Sequence, residues 1–198
     1  FGDSIAAASF RTLVWRFASV DETRPTFTVL ILSRTCTRYF LNLRELTTAL
    51  LASGVHTDVI DFDNLTFQDQ IRYMAKADLV IAAHGAGLTN AVWMRDGATV
   101  IEVFPFNFWY PSYFGSLARE LGVEYIALMD HAPRSTCMLH GALDWDQPEG
   151  RRKFVWSVGL SPGECMMQEH CQRCAKDSPV RIRTHHIISL IQVRAEAV

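Results

Sequence analysis

Apolar residues recur along the chain in two alternating patterns, short continuous runs and longer stretches with helical spacing. The continuous runs are rich in Val, Ile, Leu and Phe, which is typical of strands buried on both faces of a sheet. They lie at residues 26–32, 55–62, 78–83, 98–104 and 123–128. In the longer stretches, apolar side chains recur every three or four positions, as on one face of an amphipathic helix. These stretches lie at residues 4–19, 42–52, 67–77, 88–94, 112–121 and 184–195.

Strands that alternate with helices predict the fold class. A βαβα series produces a parallel, twisted sheet with right-handed crossovers and flanking helices. We therefore expect an α/β protein with a parallel sheet in one domain. The segment 131–179 departs from the pattern, because it holds Gly, Pro, Trp and Cys without clear periodicity. We expect an irregular segment packed on the sheet there.

Polar residues mark where several helices begin and end. Asn42, with Glu45 three residues later, has the spacing of a capping box, and Gly54 is a typical stop for the same helix. Thr66 and Asp69 indicate the start of the next helix. We expect Asn42 to be a helix cap first and a ligand contact second.

The sequence His-Gly-Ala-Gly-Leu-Thr-Asn at residues 84–90 directly follows the apolar run at 78–83. It predicts a strand that ends in a glycine turn and opens into a helix. Because Gly85 and Gly87 lack a Cβ, a ligand can approach the backbone closely, and the unpaired N–H groups of the helix start point toward an anion. The pattern therefore predicts a phosphate-binding turn.

A second polar cluster, Ser-Arg-Thr-Cys-Thr-Arg at residues 33–38, follows the first predicted strand. It places Arg34 and Arg38 at the carboxyl edge of the sheet, where open α/β sheets bind ligands. A guanidinium group suits phosphate because it donates in a plane and keeps its charge. The alternative is that both arginines are solvated or form salt bridges.

Two further side chains at this edge have both a functional and a structural interpretation. His84 is suited to donate to a phosphate oxygen or to stabilise the charge of a departing diphosphate, whereas a lone histidine more often satisfies a buried carbonyl group. Glu102, near the end of the fourth predicted strand, is placed to hold ribose hydroxyls or else to cap the following turn.

The composition limits the possible partners. The 198 residues are 49% hydrophobic and 20% charged, with a formal net charge of -2. These values are ordinary for a globular protein. Proteins that bind nucleic acid or a membrane surface nonspecifically usually have an excess of basic residues, so the net charge argues against both kinds of binding. No run approaches the roughly 20 apolar residues that span a bilayer. Because the chain starts at Phe1 without an initiator Met or a signal-like segment, we expect it to be a piece of something longer.

Other nucleotide-binding and catalytic motifs do not fit. The glycine turn lacks the third glycine of a dinucleotide fingerprint and follows the third strand, which argues against a nicotinamide dehydrogenase. There is no Gly-x-Ser-x-Gly elbow and no Gly-x-x-x-x-Gly-Lys loop. Asp-x-Asp occurs at residues 61–63 and 144–146 without the surrounding pattern of a metal-dependent transferase. We expect no metal, and we interpret Asp61 and Asp63 as a strand end and a turn.

The cysteines leave three interpretations open. They are Cys36, Cys137, Cys165, Cys171 and Cys174. A zinc site would need a fourth ligand beside the pair at residues 171 and 174, and a lone Cys-x-x-C is a weak zinc signal. Disulfides are expected if the protein works in a secretory lumen, and free structural thiols are the third interpretation.

Four segments, in order and at matching spacing, resemble one family of known proteins. The segments are Ser33-Arg34-Thr35 with Arg38, Leu41 and Asn42, then Phe67-Gln68-Asp69-Gln70-Ile71-Arg72, then residues 84–90, then Ala98-Thr99-Val100-Ile101-Glu102-Val103-Phe104-Pro105. Over about residues 27–130 the chain resembles glycosyltransferase family 61. The resemblance implies a metal-independent inverting transferase with two Rossmann-like lobes, the GT-B arrangement. Residues 1–198 would be the C-terminal, nucleotide-sugar-binding lobe, with the upstream acceptor lobe absent from this chain.

The resemblance also implies roles for individual residues. Those implied to face the diphosphate are Ser33, Arg34 and Arg38. Those implied to line the donor pocket are His84, Gly85 and Gly87, and Glu102 is implied near the ribose or base. Arg34 and His84 are the candidate catalytic residues, because without a metal the departing diphosphate must be stabilised by cationic side chains and helix N-termini. The aromatic segment 106–110 is suited to stack a uracil or to cover the sheet edge.

The partners and location follow from the same resemblance. The implied donor is a UDP-sugar that carries N-acetylglucosamine or a pentose, and the implied acceptor is a glycan or glycoprotein. No cofactor, metal or nucleic acid is expected, and no general base is assigned. The implied location is the lumen of the Golgi or endoplasmic reticulum, with an N-terminal type II membrane anchor in the full-length protein. The alternative is a catalytically inactive lobe that binds a nucleotide or a glycan.

Overall fold

The computed structural model describes residues 4–21, 23, 26–130 and 175–195. Its strands are β1 (Thr28–Leu32), β2 (His56–Ile60), β3 (Leu79–Ala83), β4 (Thr99–Phe104) and β5 (Glu124–Met129). All five strands are parallel and form one sheet in the order β2-β1-β3-β4-β5. The expected α/β class with a parallel sheet is confirmed.

Helices cover both faces of this sheet. They are α1 (Ser4–Phe17), α2 (Leu43–Ala52), α3 (Phe67–Lys76), α4 (Ser112–Glu120) and α5 (Thr184–Ala195). A short 3₁₀ turn spans Phe62–Asn64, and a longer 3₁₀ helix spans Ala86–Trp93 between β3 and β4. On one face α2 and α5 pack against the sheet, and on the other face α1, α3, the 3₁₀ helix and α4 do so. The architecture is therefore three layers, helix, sheet and helix.

Alternate residues of each strand point to opposite faces, so the core has two halves. In β1, Leu30 and Leu32 belong to the half that contains Ile71 of α3. Val29 and Ile31 belong to the half covered by α2 and α5. The three central strands are almost wholly buried, which accounts for their continuous apolar sequences. The edge strands β2 and β5 are partly exposed.

The start of α3 has the predicted cap. Thr66 Oγ1 accepts a hydrogen bond from Asp69 N at 3.2 Å and donates one to Asp69 Oδ2 at 2.6 Å. Arg72 Nη1 lies 2.7 Å from Asp69 Oδ1. The hydrogen bond from Thr66 and then the contact with Arg72 hold the pKa of Asp69 below its ordinary value. The carboxylate is thus kept charged at the helix N-terminus, where the helix dipole favours it.

The capping box predicted at the start of α2 is wrong. Asn42 occupies the N-cap position, but its side chain makes no capping hydrogen bond. Instead, Asn42 Nδ2 donates to Ile182 O at 2.9 Å, and Asn42 Oδ1 accepts from Ile182 N at 3.2 Å. Glu45 accepts a hydrogen bond from Thr184 at 2.6 Å rather than from the N-cap backbone. Since Asn42 is only 5% exposed, its amide satisfies buried backbone groups and is not available to a ligand.

The segment before α5 joins the loop after β1 to the end of β5. Phe40 and Val180 form a parallel bridge, and Leu41 N donates to Val180 O at 2.8 Å. Arg181 N donates to Asp130 Oδ2 at 2.8 Å. The polar loop at residues 33–38 is therefore anchored at its far end by the C-terminal segment.

Several expectations concern residues outside the described ranges. These include most of the segment 131–179, the Asp-x-Asp spelling at 144–146, and the four cysteines Cys137, Cys165, Cys171 and Cys174. Cys36, which is described, is an exposed free thiol. Among the residues that the structure describes, no helix has the length and apolar character needed to cross a membrane.

Candidate functional site

The carboxyl ends of β1 and β3 lie at the point where the strand order reverses. From β1 the chain passes to β2 on one side, and from β3 it passes to β4 on the other. In open α/β sheets the crevice at such a switch point is where ligands bind. Here it forms a solvent-open cleft of about 430 Å³, which we call the β1–β3 cleft.

Residues from three strand ends line this cleft. They are Leu32, Ser33 and Arg34 after β1, Asp61, Phe62 and Asp63 after β2, and Ala82, Ala83, Gly85, Gly87 and Leu88 around the end of β3. Four of the seven residues predicted to bind the donor therefore meet in one place, namely Ser33, Arg34, Gly85 and Gly87. The parallel sheet brings them together because each follows the carboxyl end of a neighbouring strand.

Arg34 packs directly against the glycine turn. Its Nε donates to Thr37 O at 3.1 Å, which fixes one end of the guanidinium group within its own loop. A Cβ added to Gly85 would lie 2.6 Å from Arg34 Nη1. Gly85 has extended dihedral angles that any residue adopts (φ 165°, ψ 167°), so a side chain at this position would act by displacing the flexible end of Arg34. A Cβ at Gly87 would make only ordinary contact, 3.5 Å from the Phe62 ring.

The helix expected at residues 88–94 is a 3₁₀ helix and begins earlier, at Ala86. The hydrogen bond from Leu88 N to Gly85 O, 3.0 Å long, closes its first turn. Thr89 Oγ1 donates to Ala86 O at 2.7 Å, and such side-chain bonds to the carbonyl three residues back accompany the tighter helix. The N-terminus still lies at the glycine turn, so the partial positive charge of a helix start is available at the cleft.

Arg38 lies next to Arg34 but does not line the cleft. Its backbone is left-handed, with φ 54°, and its N–H donates to Asp177 O at 3.4 Å. The buried Arg38 Nε has no hydrogen-bond partner among the described residues. Burial and the charge of Arg34 lower the pKa of Arg38, against the opposing effect of Asp177. A buried donor next to a second positive charge favours an anion at this loop.

A second polar group lies one strand further along the sheet. His84 Nδ1 and Glu102 Oε1 are 2.5 Å apart, and the Tyr125 hydroxyl donates to Glu102 Oε2. In the strand register Ala82 lies opposite Glu102, and Val100 lies opposite Tyr125. His84 is two residues beyond Ala82, and Glu102 is two residues beyond Val100. The three polar side chains therefore run diagonally across one face of the sheet, and we call them the His84 chain.

Glu102 and most of the His84 side chain are buried, and Tyr125 is partly buried. The side chain of His84 is 12% exposed, and that of Glu102 is 0% exposed. The imidazole stacks on the Phe104 ring at a centroid distance of 5.0 Å and contacts the Phe108 ring edge-on at 5.1 Å. Burial and the Glu102 carboxylate raise the pKa of Tyr125 far above its ordinary value, so its hydroxyl remains a donor. Each oxygen of Glu102 thus has a partner within the protein.

Glu102 is expected near a ribose or base, and a contact of this side chain with a ligand stays a prediction. In the structure the carboxylate is fully buried, and its two oxygens contact His84 and Tyr125. The structural interpretation of His84 is a hydrogen bond to a buried backbone carbonyl group. In the structure its Nδ1 contacts the Glu102 carboxylate instead. His84 and Arg38 lie beside the cleft rather than in its wall.

The sequence did not indicate that two aromatic residues, Phe62 and Tyr125, belong with the polar groups at the carboxyl edge of the sheet. It also did not indicate that the turn at Asp61 and Asp63 lines the cleft. Phe62 forms part of the cleft wall, and Tyr125 completes the His84 chain. Asp61 accepts a hydrogen bond from Asp63 N at 3.0 Å, as expected of a turn, but the same turn also lines the cleft. The missed signal for Tyr125 was Gly115 inside a predicted helix, because an interior helix glycine often marks a close contact.

The β1–β3 cleft carries charges of both signs. The Arg34 guanidinium group lies at one wall, and the carboxylates of Asp61 and Asp63 line another. Such a cleft suits a ligand with an anionic part and hydroxyl-bearing parts. Within the described ranges, no three His, Cys, Asp or Glu residues lie close enough together to hold a metal ion.

A parallel sheet whose strand order reverses between β1 and β3, with helices on both faces, defines the class as a Rossmann-like α/β domain. The family model for Glycosyltransferase 61 matches residues 6–101. This match includes the segments at residues 33–42, 67–72 and 84–90 and the first half of the segment at 98–105. The resemblance to glycosyltransferase family 61 that these segments indicate is confirmed.

Two individual relatives carry the names of glycosyltransferases. The human (Homo sapiens) protein O-linked-mannose beta-1,4-N-acetylglucosaminyltransferase 2 is 30% identical over 124 residues, which are 60% of this chain and 21% of that protein. An alpha-1,3-arabinosyltransferase of Oryza sativa subsp. japonica is 30% identical over 122 residues, 58% of this chain and 20% of that protein. The chain thus spans about a fifth of the length of these relatives. A solved diflavin flavoprotein from Nostoc sp. matches with a TM-score of 0.40 and 13% identity, over 56% of this chain and 80% of that chain.

Proposed function

We propose that this chain is the donor-binding part of an inverting glycosyltransferase. The full-length protein would transfer N-acetylglucosamine or a pentose from a UDP-sugar to a glycan or glycoprotein acceptor. The family match supports sugar transfer, and the names of the two relatives support both kinds of sugar and, for the human one, a protein-linked acceptor. The observation that carries the proposal is the meeting of Arg34 with the glycine turn in the β1–β3 cleft.

The donor diphosphate lies between Arg34 and the start of the 3₁₀ helix. A guanidinium group donates two parallel hydrogen bonds to phosphate oxygens, and the helix N-terminus adds backbone donors and partial positive charge. Ser33 lines the same wall, and Arg38 adds a second full positive charge behind Arg34. Arg34 and the helix start therefore face the diphosphate, and Arg38 adds positive potential from beside the cleft.

Inversion needs in-line attack by an acceptor hydroxyl on the anomeric carbon of the sugar. The new C–O bond forms as the bond to the diphosphate oxygen breaks, the bonding electrons leave with UDP, and the hydroxyl proton passes to a base that we do not assign. Arg34 stabilises the charge that grows on the departing UDP. His84 contributes through Nε2, because its Nδ1 is engaged by Glu102.

The proposal includes the absence of a metal requirement and a location in the secretory pathway. Arg34, Arg38 and the helix N-terminus are groups that can take the part of a metal ion in stabilising the leaving diphosphate. A glycoprotein acceptor implies the lumen of the Golgi or endoplasmic reticulum, with a type II membrane anchor in the full-length protein.

A catalytically inactive lobe that binds a nucleotide or glycan is the second candidate. The observation that favours it is that the polar residues of the β1–β3 cleft are donor-side groups, and no base is assigned. Transfer requires the acceptor hydroxyl to be held about 3–3.5 Å from the anomeric carbon. We therefore expect the 198-residue chain alone to bind UDP and to transfer no sugar.

Two assays test the proposal. Calorimetric titration of UDP into the chain, first with EDTA and then with manganese, should show binding in both buffers. Binding that strictly requires manganese would contradict the metal-independent donor site. Release of UDP from a panel of UDP-sugars by the full-length protein, with glycopeptide acceptors, then separates the enzyme from the inactive binder.

A further inference from the structure

The His84 chain is built around a fully buried carboxylate and lies beside the wall of the β1–β3 cleft. Its carboxylate is fully buried, and it receives one contact on each oxygen, from His84 Nδ1 and from the Tyr125 hydroxyl. Burying a carboxylate is costly unless such donors are present. Buried polar groups of this kind persist when they fix the orientation of a group that acts elsewhere.

The contacts of His84 restrict which of its nitrogens can act. Nδ1 faces Glu102, and the ring is held between Phe104 and Phe108. Nε2 is left without a hydrogen-bond partner among the residues that the structure describes. His84 is also directly followed by Gly85, which lines the β1–β3 cleft. The nitrogen opposite the carboxylate is therefore the one available to a ligand at this edge of the sheet.

We propose that Glu102 and Tyr125 are positioning residues that keep the His84 proton on Nδ1 and present Nε2 to the bound UDP-sugar. This inference rests on the proposed function, since that function supplies the ligand. Tyr125 acts on the carboxylate: by donating to Oε2, it holds Glu102 in the rotamer whose Oε1 meets the imidazole. The high pKa of Tyr125 keeps that hydroxyl protonated at every pH at which the protein would work.

Helix α4 is built around this arrangement. Gly115 lies in the interior of α4, where glycine is less favourable than alanine. A Cβ at Gly115 would lie 2.8 Å from Tyr125 Cε1 and 2.9 Å from Cδ1. Alanine would favour the helix more than glycine does, but its Cβ would clash with the tyrosine ring. This close contact fixes the ring that carries the donor hydroxyl.

Nitrogen-15 NMR of the histidine side chains tests the tautomer directly and does not depend on activity. In the 198-residue chain, at a pH where the imidazole is neutral, we expect His84 to carry its proton on Nδ1. Glu102→Gln should shift the proton toward Nε2, because an amide can itself donate to Nδ1. A proton on Nε2 in the parent, or an unchanged tautomer in Glu102→Gln, would overturn the inference.

Kinetics of the full-length protein test whether this positioning matters for transfer. Glu102→Gln should lower kcat about 10- to 100-fold, the usual effect of losing the partner that orients an active histidine, with little change in the KM for the UDP-sugar. Tyr125→Phe should give a smaller loss of the same kind, and it remains informative if Glu102→Gln does not fold. The matched controls are Glu120→Gln and Tyr73→Phe, which should behave as the parent.

The outcomes separate this inference from the proposed function. A shifted tautomer with unchanged kcat in Glu102→Gln would overturn the positioning role. If the parent transfers no sugar from any UDP-sugar, the proposed enzyme fails, and the NMR result alone then decides whether Glu102 and Tyr125 orient His84. Gly115→Ala provides an independent check, because it displaces the Tyr125 ring without altering Glu102 or His84 chemically.

Discussion

The β1–β3 cleft and the His84 chain lie at the same edge of the sheet but hold their polar groups in opposite ways. In the cleft, Arg34 is partly exposed and its only hydrogen bond among the described residues goes to its own loop. In the His84 chain, Glu102 is fully buried and both of its oxygens have partners. The comparison indicates that the cleft is arranged to receive a ligand, whereas the His84 chain is arranged to remain fixed.

Removing the buried carboxylate should have the largest effect on stability. Glu102→Ala leaves His84 and the Tyr125 hydroxyl without their acceptor in a buried site, so we expect the free energy of unfolding to fall by roughly 3 kcal/mol. Urea denaturation of the chain measures this loss. The control, Glu120→Ala on the exposed side of α4, should stay within about 0.5 kcal/mol of the parent. Equal, small effects from both variants would contradict the comparison.

The corresponding change in the cleft should weaken binding rather than stability. Arg34→Ala removes a charge-assisted contact to the diphosphate, so we expect UDP binding to weaken by roughly 1.5–3 kcal/mol. Calorimetry with UDP measures the loss, and the unfolding free energy should change by less than about 0.5 kcal/mol. Arg44→Ala, an exposed arginine of α2, is the matched control. If both variants bind UDP as tightly as the parent, Arg34 does not contact the diphosphate.

Two glycine substitutions should affect different properties, one UDP binding and the other stability. Gly85→Ala forces the Arg34 guanidinium group to move, so UDP binding should weaken by about 1 kcal/mol while stability is unchanged. Gly54 has φ 75° and open space around it, so Gly54→Ala should cost about 1 kcal/mol of stability and leave UDP binding unchanged. Calorimetry and urea denaturation on both variants measure the two effects. Equal losses of binding would show that Gly85 acts through general stability.

The smallest expected effect is a dependence of stability on alkaline pH. The folded chain keeps the Tyr125 proton above pH 10.0, the ordinary pKa, whereas the unfolded chain releases it. The stabilisation is therefore complete below pH 10.0 and is lost as the pH rises further. Thermal unfolding across this range should show a slope that Tyr125→Phe reduces and Tyr73→Phe retains. A slope that is the same in both variants would exclude Tyr125 as its source.

Local sequence patterns predicted the fold because they report burial and chain direction within short segments. The apolar run at 78–83 became the buried strand β3, and Thr66 capped α3 as its spacing indicates. The position of the cleft also followed from local signals, since Ser33 and Gly85 each come after the end of a strand. The 3₁₀ type of the helix after Gly85 did not follow, because the local apolar spacing does not distinguish it from an α-helix.

Contacts between distant segments could not be predicted in this way. The hydrogen-bond partner of Asn42 lies 140 residues further along the chain. The local sequence therefore does not show whether the Asn42 side chain caps its own helix or binds a distant backbone segment. Glu102 meets His84 and Tyr125 across 18 and 23 residues, on the two neighbouring strands. The local sequence did not indicate that the Glu102 carboxylate is buried, because its burial depends on the neighbouring strands of the sheet.

The central claim is that a nucleoside diphosphate binds in the β1–β3 cleft. Backbone amide NMR of the 198-residue chain during a titration with UDP in EDTA tests it most directly. The account predicts the largest shifts at Ser33, Arg34, Gly85 and Gly87. Shifts confined to α2 and α5 on the opposite side of the sheet, or no shifts at saturating UDP, would contradict it.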